Sequence, residues 1–128
     1  MEPIAHREWR QRSGVQERLN EKSFSWNKAH PQRVKEIYLK HRFGLEYGEY
    51  DVMLENQVGV CAICGNPETC KDSRNATQIR ALAVDHDHEK GKVRGLLCHA
   101  CNRGIGSLKD DPVLLQKAIE YLQGGVSL

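Results

Sequence analysis

Two closely spaced cysteine pairs are the clearest chemical feature of this chain of 128 residues. Cys61 and Cys64 form one C-x-x-C pair, and Cys98 and Cys101 form the other. Each pair can present two converging thiolates, and four thiolates complete the tetrahedral shell of a zinc ion. The spacing therefore predicts one structural zinc site, with two disulfides or chance spacing as the alternatives. The fifth cysteine, Cys70, lies in a polar segment and is expected to be a free thiol.

Between the two pairs lies the run Asp85-His86-Asp87-His88, for which a purely structural zinc site has little use. Carboxylates bind hard cations such as Mg²⁺, and imidazole can take a proton from water, so the run indicates a metal-dependent phosphodiesterase. We expect Asp85 and Asn102 to hold a divalent ion and His86 to activate water. Alternatively, His86 binds a second zinc or lies in an exposed turn. His88 orients phosphate, supports the cluster or is solvated, and Asp87 is expected to be structural.

Two arginines follow this run, Arg94 before the second cysteine pair and Arg103 just after the last cysteine. A guanidinium can bind a phosphate with two hydrogen bonds and can stabilise charge in a transition state. Either arginine is thus a candidate phosphate ligand, and an ordinary surface position is the alternative.

The elements that must position these residues are predicted from local pattern. Apolar residues predict strands over 79–84 and 93–97, with a turn at Gly91 between them, and a helix over about 98–107. The order strand, strand, helix between the cysteine pairs predicts an α+β fold, a small zinc-stapled treble-clef ββα-metal finger with flanking helices. Zinc would hold the helix against the hairpin and bring Asp85 close to Asn102.

Further helices are predicted on both sides of this unit. One begins at Pro31 and ends at Gly44, because proline suits the first helical position and glycine the residue after the last. A shorter helix covers Tyr50 to Gln57. The last helix begins at Asp110-Asp111-Pro112 and ends at Gly124-Gly125.

Charge is spread unevenly, although the net charge is only +2. Residues 1–42 hold ten Lys or Arg against five acidic residues, whereas residues 43–128 hold nine against twelve. We therefore divide the chain into a basic, mainly helical N-terminal arm (1–42), a zinc-bound core (43–108) and a C-terminal helix (109–128). The arm is expected to bind a polyanion such as DNA. A solvated helical arm without a ligand is the alternative.

The absence of long apolar segments argues against a membrane protein, since a span needs about 20 apolar residues. The N-terminus has no apolar run that would serve as a secretory signal. We therefore expect a cytoplasmic protein, in a reducing compartment where C-x-x-C pairs bind metal more often than they form disulfides.

Three stretches of the sequence resemble the recombination endonuclease VII family, whose members are phage-type HNH, or His-Me finger, nucleases. The resemblance covers roughly Tyr38 to Leu108. The matching stretches are Cys61-Ala62-Ile63-Cys64-Gly65, Ala83-Val84-Asp85-His86-Asp87-His88 and Gly91-Lys92-Val93-Arg94-Gly95-Leu96-Leu97-Cys98-His99-Ala100-Cys101-Asn102.

The resemblance implies a role for each matching residue. The four cysteines would hold a structural zinc, Asp85 and Asn102 would hold a catalytic Mg²⁺ or Mn²⁺, and His86 would be the general base. His88 matches a position that is also tied to activity. Asn102 stands where an HNH nuclease has its last histidine, as in endonuclease VII, and the middle Asn of that motif has no secure counterpart here.

These observations predict a phage-encoded, metal-dependent HNH endonuclease that nicks or cuts DNA in the cytoplasm of the host cell. One alternative is a resolvase of Holliday junctions or other branched DNA, and a homodimer is possible in either case. Another alternative is a catalytically silent zinc module that only binds DNA. A zinc-stapled protein-interaction domain is disfavoured by the basic arm and by the ββα order.

Overall fold

The computed structural model describes residues 15–125 of the chain. Over these residues the fold is α+β, and along the chain three helices precede and two follow one two-stranded antiparallel sheet. Within the described part, the chain divides into two compact units at the boundary between Tyr47 and Gly48. The helices are α1 (Val15–Ala29), α2 (Pro31–Phe43), α3 (Glu49–Asn56), α4 (His99–Ser107) and α5 (Pro112–Gly124), and the strands are β1 (Ala83–His86) and β2 (Val93–Leu97).

The first unit contains α1 and α2. Helix α2 begins at Pro31 and ends before Gly44, which has φ of 71° and donates its N–H to the Lys40 carbonyl at 2.9 Å. Both ends are confirmed where proline and glycine predicted them. Residues 1–14, which include Trp9 and the start of the predicted basic arm, lie outside the described residues.

The second unit is built on the β1–β2 hairpin. Ala83 lies opposite Leu97 and Asp85 opposite Gly95, with a register shift between Asp85 and His86. β2 is confirmed over its predicted range, but the prediction of β1 over 79–84 is wrong. The turn at Gly91 determines which residues face β2, and these start at Ala83, whereas Ile79 forms an isolated bridge with Lys71.

The small core of this unit packs around the hairpin. Leu96 is fully buried, and Tyr50, Leu82 and Leu97 are nearly so. The Tyr50 hydroxyl donates to the Leu82 carbonyl at 2.6 Å, so a buried aromatic ring has its polar atom satisfied. This bond ties α3 to the residue just before β1.

Gln57, at the end of α3, joins three segments of the unit through its side-chain amide. Its Nε2 donates to the carbonyls of Val60 and Leu96, each at 2.9 Å, and its Oε1 accepts from the Leu96 N–H at 2.9 Å. The side chain thus extends the hydrogen bonding of β2 toward the first cysteine pair.

Helix α5 begins and ends where the sequence predicted. The Asp111 side chain accepts the Val113 N–H at 2.8 Å, which caps the helix, and Gly125 follows its last residue. None of the helices in the described range 15–125 is long and apolar enough to cross a membrane.

Candidate active site

The two cysteine pairs converge on one point. Cys61 and Cys64 lie in the turn after α3, while Cys98 caps α4 and Cys101 lies in its first turn. All four Sγ atoms lie within 4.8 Å of one another, and those of Cys64 and Cys98 are 3.8 Å apart. A tetrahedron with zinc–sulfur bonds of about 2.3 Å has sulfur–sulfur edges of about 3.8 Å. The four cysteines therefore form a cluster compatible with zinc.

The thiols are free and their protonation is uneven. All five cysteines are unbridged, so the disulfide alternative is not observed. Burial alone would raise the pKa of Cys61, but backbone hydrogen bonds, including one from the Ile63 N–H, lower it to about 6. Burial and hydrogen bonding with neighbouring thiols, first that of Cys98, raise the pKa of Cys101 to about 12. Four thiolates this close repel one another, so all of them deprotonate only with a cation between them.

Glu68, which sequence reasoning missed, ties the loop after the first cysteine pair to the start of α4. Its Oε2 accepts the His99 N–H at 2.7 Å, and its Oε1 accepts the N–H groups of Thr69 and Cys70 at 3.0 and 2.9 Å. Burial would raise the pKa of Glu68, but these donors outweigh it and lower the pKa. No signal in the sequence marks Glu68 for this role, because its partner His99 is 31 positions further along the chain.

Asp85 is a buried carboxylate, with 9% of its surface exposed. Its Oδ2 accepts from Arg94 Nε at 2.7 Å and its Oδ1 from Arg94 Nη2 at 2.9 Å, a bidentate pair across the hairpin. A buried carboxylate needs such a partner, because taking it out of water is costly. The structure thus brings together the predicted metal ligand and one of the two predicted phosphate ligands.

Asp110 extends this pair into a chain of contacts. Its Oδ2 lies 3.3 Å from Arg94 Nη2 and 3.8 Å from His88 Nε2. The rings of His88 and His86 are 4.5 Å apart between centroids and tilted by 55°. Sequence reasoning assigned Asp110 only to the start of α5, and its type and position carried no signal of this role.

The register shift of β1 lies between Asp85, the expected metal ligand, and His86, the expected general base. Neighbouring residues of a regular strand point to opposite faces, which would separate Asp85 from His86. The register shift between these two residues is a local break in the ladder, of the kind that redirects a side chain. Strict alternation therefore does not apply at this point of β1.

Asn102 and Arg103 lie on α4, which contacts β1. Asn102 is half-buried, and its backbone N–H donates to the Cys98 carbonyl at 2.9 Å, whereas Arg103 is exposed. Asp87 accepts the N–H groups of Glu89 and Lys90 at 2.9 and 3.1 Å, which orders the turn between the strands. These bonds lower the pKa of Asp87 and fit the structural role expected for it.

The second unit thus combines strands and a helix in ββα order with a four-cysteine cluster compatible with zinc binding. The chain belongs to the recombination endonuclease VII family, whose model matches residues 36–124 and so confirms the resemblance. The match extends past Leu108 and includes α5.

Two curated relatives are phage proteins. The chain is 42% identical over 82 residues to the Gene 59 protein of Mycobacterium phage D29, covering 63% of this chain and 45% of that protein. It is 40% identical over 81 residues to the Gene 59 protein of Mycobacterium phage L5, covering 62% of this chain and 44% of that protein. The matches thus cover less than half the length of these relatives. No solved structure matches the chain.

Proposed function

We propose that this chain is a divalent-metal-dependent HNH endonuclease that hydrolyses DNA phosphodiester bonds and acts, as a phage protein, in the cytoplasm of the host cell. Membership of the endonuclease VII family supports a nuclease. The observation that carries the metal-dependent mechanism is the buried carboxylate of Asp85, which lies next to His86 on a strand that contacts the helix of Asn102. A protein that only binds DNA has no need of such a carboxylate.

Asp85 and Asn102 are the residues that would hold Mg²⁺ or Mn²⁺. A carboxylate has about four lone-pair sites, and Arg94 occupies one on each oxygen of Asp85, which leaves others for a cation. The Asn102 amide oxygen adds a neutral ligand of the hard type that these ions prefer. When bound, the ion supplies positive charge that stabilises the phosphate oxygens during bond cleavage.

The remaining roles fall to residues around Asp85. His86 accepts the proton of the attacking water, and His88, whose ring lies beside it, supports its position. Arg94 binds the phosphate and offsets its developing charge, with Arg103 as a second and more exposed candidate.

The basic N-terminal arm, residues 1–42, is proposed to bind the DNA backbone. Within the described residues, α1 and α2 carry exposed basic side chains, among them Arg18, Lys22 and Arg42. Neutralising phosphates releases counterions, so each contact contributes about −0.9 to the slope of log affinity against log salt. A deletion of residues 1–30 should therefore flatten this slope, and an unchanged slope would contradict the role.

Cleavage of supercoiled plasmid tests the proposal. Zinc-loaded protein should nick or linearise the plasmid only with added Mg²⁺ or Mn²⁺. A chelator should stop cleavage, and excess Mg²⁺ added afterwards should restore it, while the zinc content of the protein stays constant. His86→Ala should lower the rate about 10²- to 10⁴-fold without loss of DNA binding, because it removes the proton acceptor. Gln116→Ala, at an exposed position of α5 outside the arm and the proposed site, is the control.

The result also separates the alternatives. DNA binding without turnover in any divalent ion would favour the silent zinc module. Faster cleavage of a four-way junction than of linear duplex DNA, with a dimer in sedimentation, would favour a junction resolvase. A near-normal rate for His86→Ala would overturn the assignment of the base.

A further inference from the structure

Arg94 lies between two carboxylates. It forms two hydrogen bonds with Asp85, at 2.7 and 2.9 Å, and the same Nη2 that binds Asp85 also contacts Asp110 at 3.3 Å. The Asp110 carboxylate is largely shielded from water, with 22% of the side chain exposed. One guanidinium nitrogen is therefore shared between a carboxylate on β1 and one in the segment between α4 and α5.

This sharing matters because the ion proposed at Asp85 and the Arg94 guanidinium are both positive. Two cations on one carboxylate repel each other, and the repulsion is strong where water is partly excluded. Binding of a divalent ion at Asp85 is therefore easier if Arg94 can turn away from that carboxylate. A guanidinium that turns away without a new partner would lose its charge-assisted hydrogen bonds.

We propose, on the basis of the proposed function, that Asp110 is a positioning residue that receives Arg94 when Asp85 binds a divalent cation. Asp110 already contacts the guanidinium, so the transfer requires a shift of hydrogen bonds rather than a movement of the backbone. Arg94 then stays at the edge of the site, where it can meet the scissile phosphate. In this role Asp110 acts through Arg94 and contacts neither the ion nor the DNA, although its Oδ2 also lies 3.8 Å from His88 Nε2.

The backbone at Asp110 supports a specific role for its side chain. Lys109 and Asp110 both adopt left-handed conformations, with φ of 60° and 51°. Such conformations are unfavourable for residues other than glycine, although Asp tolerates them better than most. A carboxylate is thus present at a position where glycine would be the relaxed choice, and this carboxylate contacts Arg94.

The proposal predicts that the effect of Asp110 on Mn²⁺ binding depends on Arg94. A simple effect of the negative charge of Asp110 predicts no such dependence. In Asp110→Asn, Asp85 is the remaining one of the two carboxylates that contact Arg94. Mn²⁺ must then compete with a tighter ion pair between Arg94 and Asp85. Arg94→Gln removes the competing cation and should strengthen Mn²⁺ binding. If Asp110 acts through Arg94, Asp110→Asn should have little effect in the Arg94→Gln background. If Asp110 only adds negative potential, it should weaken binding equally in both backgrounds.

The experiment measures binding of Mn²⁺ alone to the zinc-loaded full chain by electron paramagnetic resonance, without DNA. Because charged residues in contact are strongly coupled, Asp110→Asn should bind Mn²⁺ about tenfold more weakly than the wild type. In the Arg94→Gln background, the same substitution should weaken Mn²⁺ binding by less than about threefold. Asp110→Gly should match Asp110→Asn, and because glycine relaxes the backbone there, it also excludes misfolding as the cause. Asp111→Asn is the matched control, since Asn caps α5 as well as Asp does and should leave binding unchanged.

Cleavage supplies a second readout. Asp110→Asn should raise the Mg²⁺ concentration needed for half-maximal rate about tenfold, in line with the coupling expected between contacting charges, and change the rate at saturating Mg²⁺ much less. Wild-type Mn²⁺ affinity in Asp110→Asn, or equal weakening in both Arg94 backgrounds, would overturn the role of Asp110.

A further variant, Asp85→Asn, distinguishes failure of the role of Asp110 from failure of the proposed function. If Asp85→Asn abolishes Mn²⁺ binding while Asp110→Asn does not weaken it, the role of Asp110 is wrong and the ion site stands. If Asp85→Asn also leaves binding unchanged, the ion site itself is wrong, and the inference about Asp110 is overturned with it.

Discussion

Replacing Gln57 by Leu should destabilise the second unit through the loss of three hydrogen bonds. The Gln57 amide donates to the carbonyls of Val60 and Leu96 and accepts from the Leu96 N–H, each at 2.9 Å. Leucine has a similar volume, so the change removes polar partners without opening a large cavity. Each such bond contributes about 1 kcal/mol net, which gives a loss of about 3 kcal/mol.

The loss is concentrated at Leu96, which is fully buried. Its carbonyl keeps a second donor, the Ala62 N–H at 3.1 Å, but its N–H would lose the Gln57 oxygen. An unsatisfied buried donor costs about 1–3 kcal/mol, so this bond contributes at least as much to the loss as either of the other two. A loss of about 3 kcal/mol is a large part of the 5–15 kcal/mol that stabilises a typical protein.

Urea unfolding of the zinc-loaded protein, followed by far-ultraviolet circular dichroism, measures the effect as a change in the free energy of unfolding. Gln57→Glu separates hydrogen bonding from shape, because a carboxylate can still accept from Leu96 but cannot donate to the two carbonyls. It should be at least as destabilising as Gln57→Leu. The control is Gln32→Leu at an exposed position of α2, expected to change stability by no more than about 0.5 kcal/mol. A Gln57→Leu protein as stable as this control would refute the reasoning.

Three further predictions concern the cysteine cluster, the half-buried carboxylate of Glu68 and the backbone at Val58. Cys64→Ser should lose zinc and unfold, because binding structural zinc contributes about 10–16 kcal/mol of folding free energy, and unchanged zinc by atomic absorption would contradict this. Glu68, whose pKa is lowered in the fold, stabilises the protein above its ordinary pKa of about 4.3 and loses that effect as pH falls through the lowered value. The stability difference between wild type and Glu68→Gln should therefore shrink from pH 7 toward pH 3, and a constant difference would exclude the charge as its source. Val58 is exposed with φ of 57°, so Val58→Gly should stabilise the protein by about 1 kcal/mol and raise the Tm, while a lower Tm would show that this conformation is not strained.

Local chemistry explains which elements could be predicted. Pro31 and Gly44 mark the ends of α2, and Asp111 marks the start of α5, because each acts on the backbone of its own or adjacent residues. The cysteine cluster was predictable for a similar reason, since the C-x-x-C spacing presents two thiolates from a single turn. The residues that matter are close in sequence at these helix ends and within each cysteine pair, whereas the two pairs are brought together by the fold.

The prediction of β1 failed because strand pairing is not local. Ile79 is apolar, but whether it joins the sheet depends on which residue of β2 lies opposite it. Gln57 and Glu68 were missed for the same reason, because their partners, such as Leu96 and His99, are more than thirty positions away. Side-chain hydrogen bonds over such distances leave no periodic pattern in the sequence.

The sequence by itself determined the chemical types at the candidate site. It specified four thiols with metal-binding spacing and an aspartate–histidine run between them, which was sufficient to recognise the endonuclease VII family. Only the tertiary structure decided how these groups are paired. Folding of the hairpin places Arg94 on Asp85, and the turn after α4 brings Asp110 to the same guanidinium from 16 residues away. A buried charge takes its partner from whatever the fold places within about 3 Å, and that choice is made by packing rather than by sequence spacing.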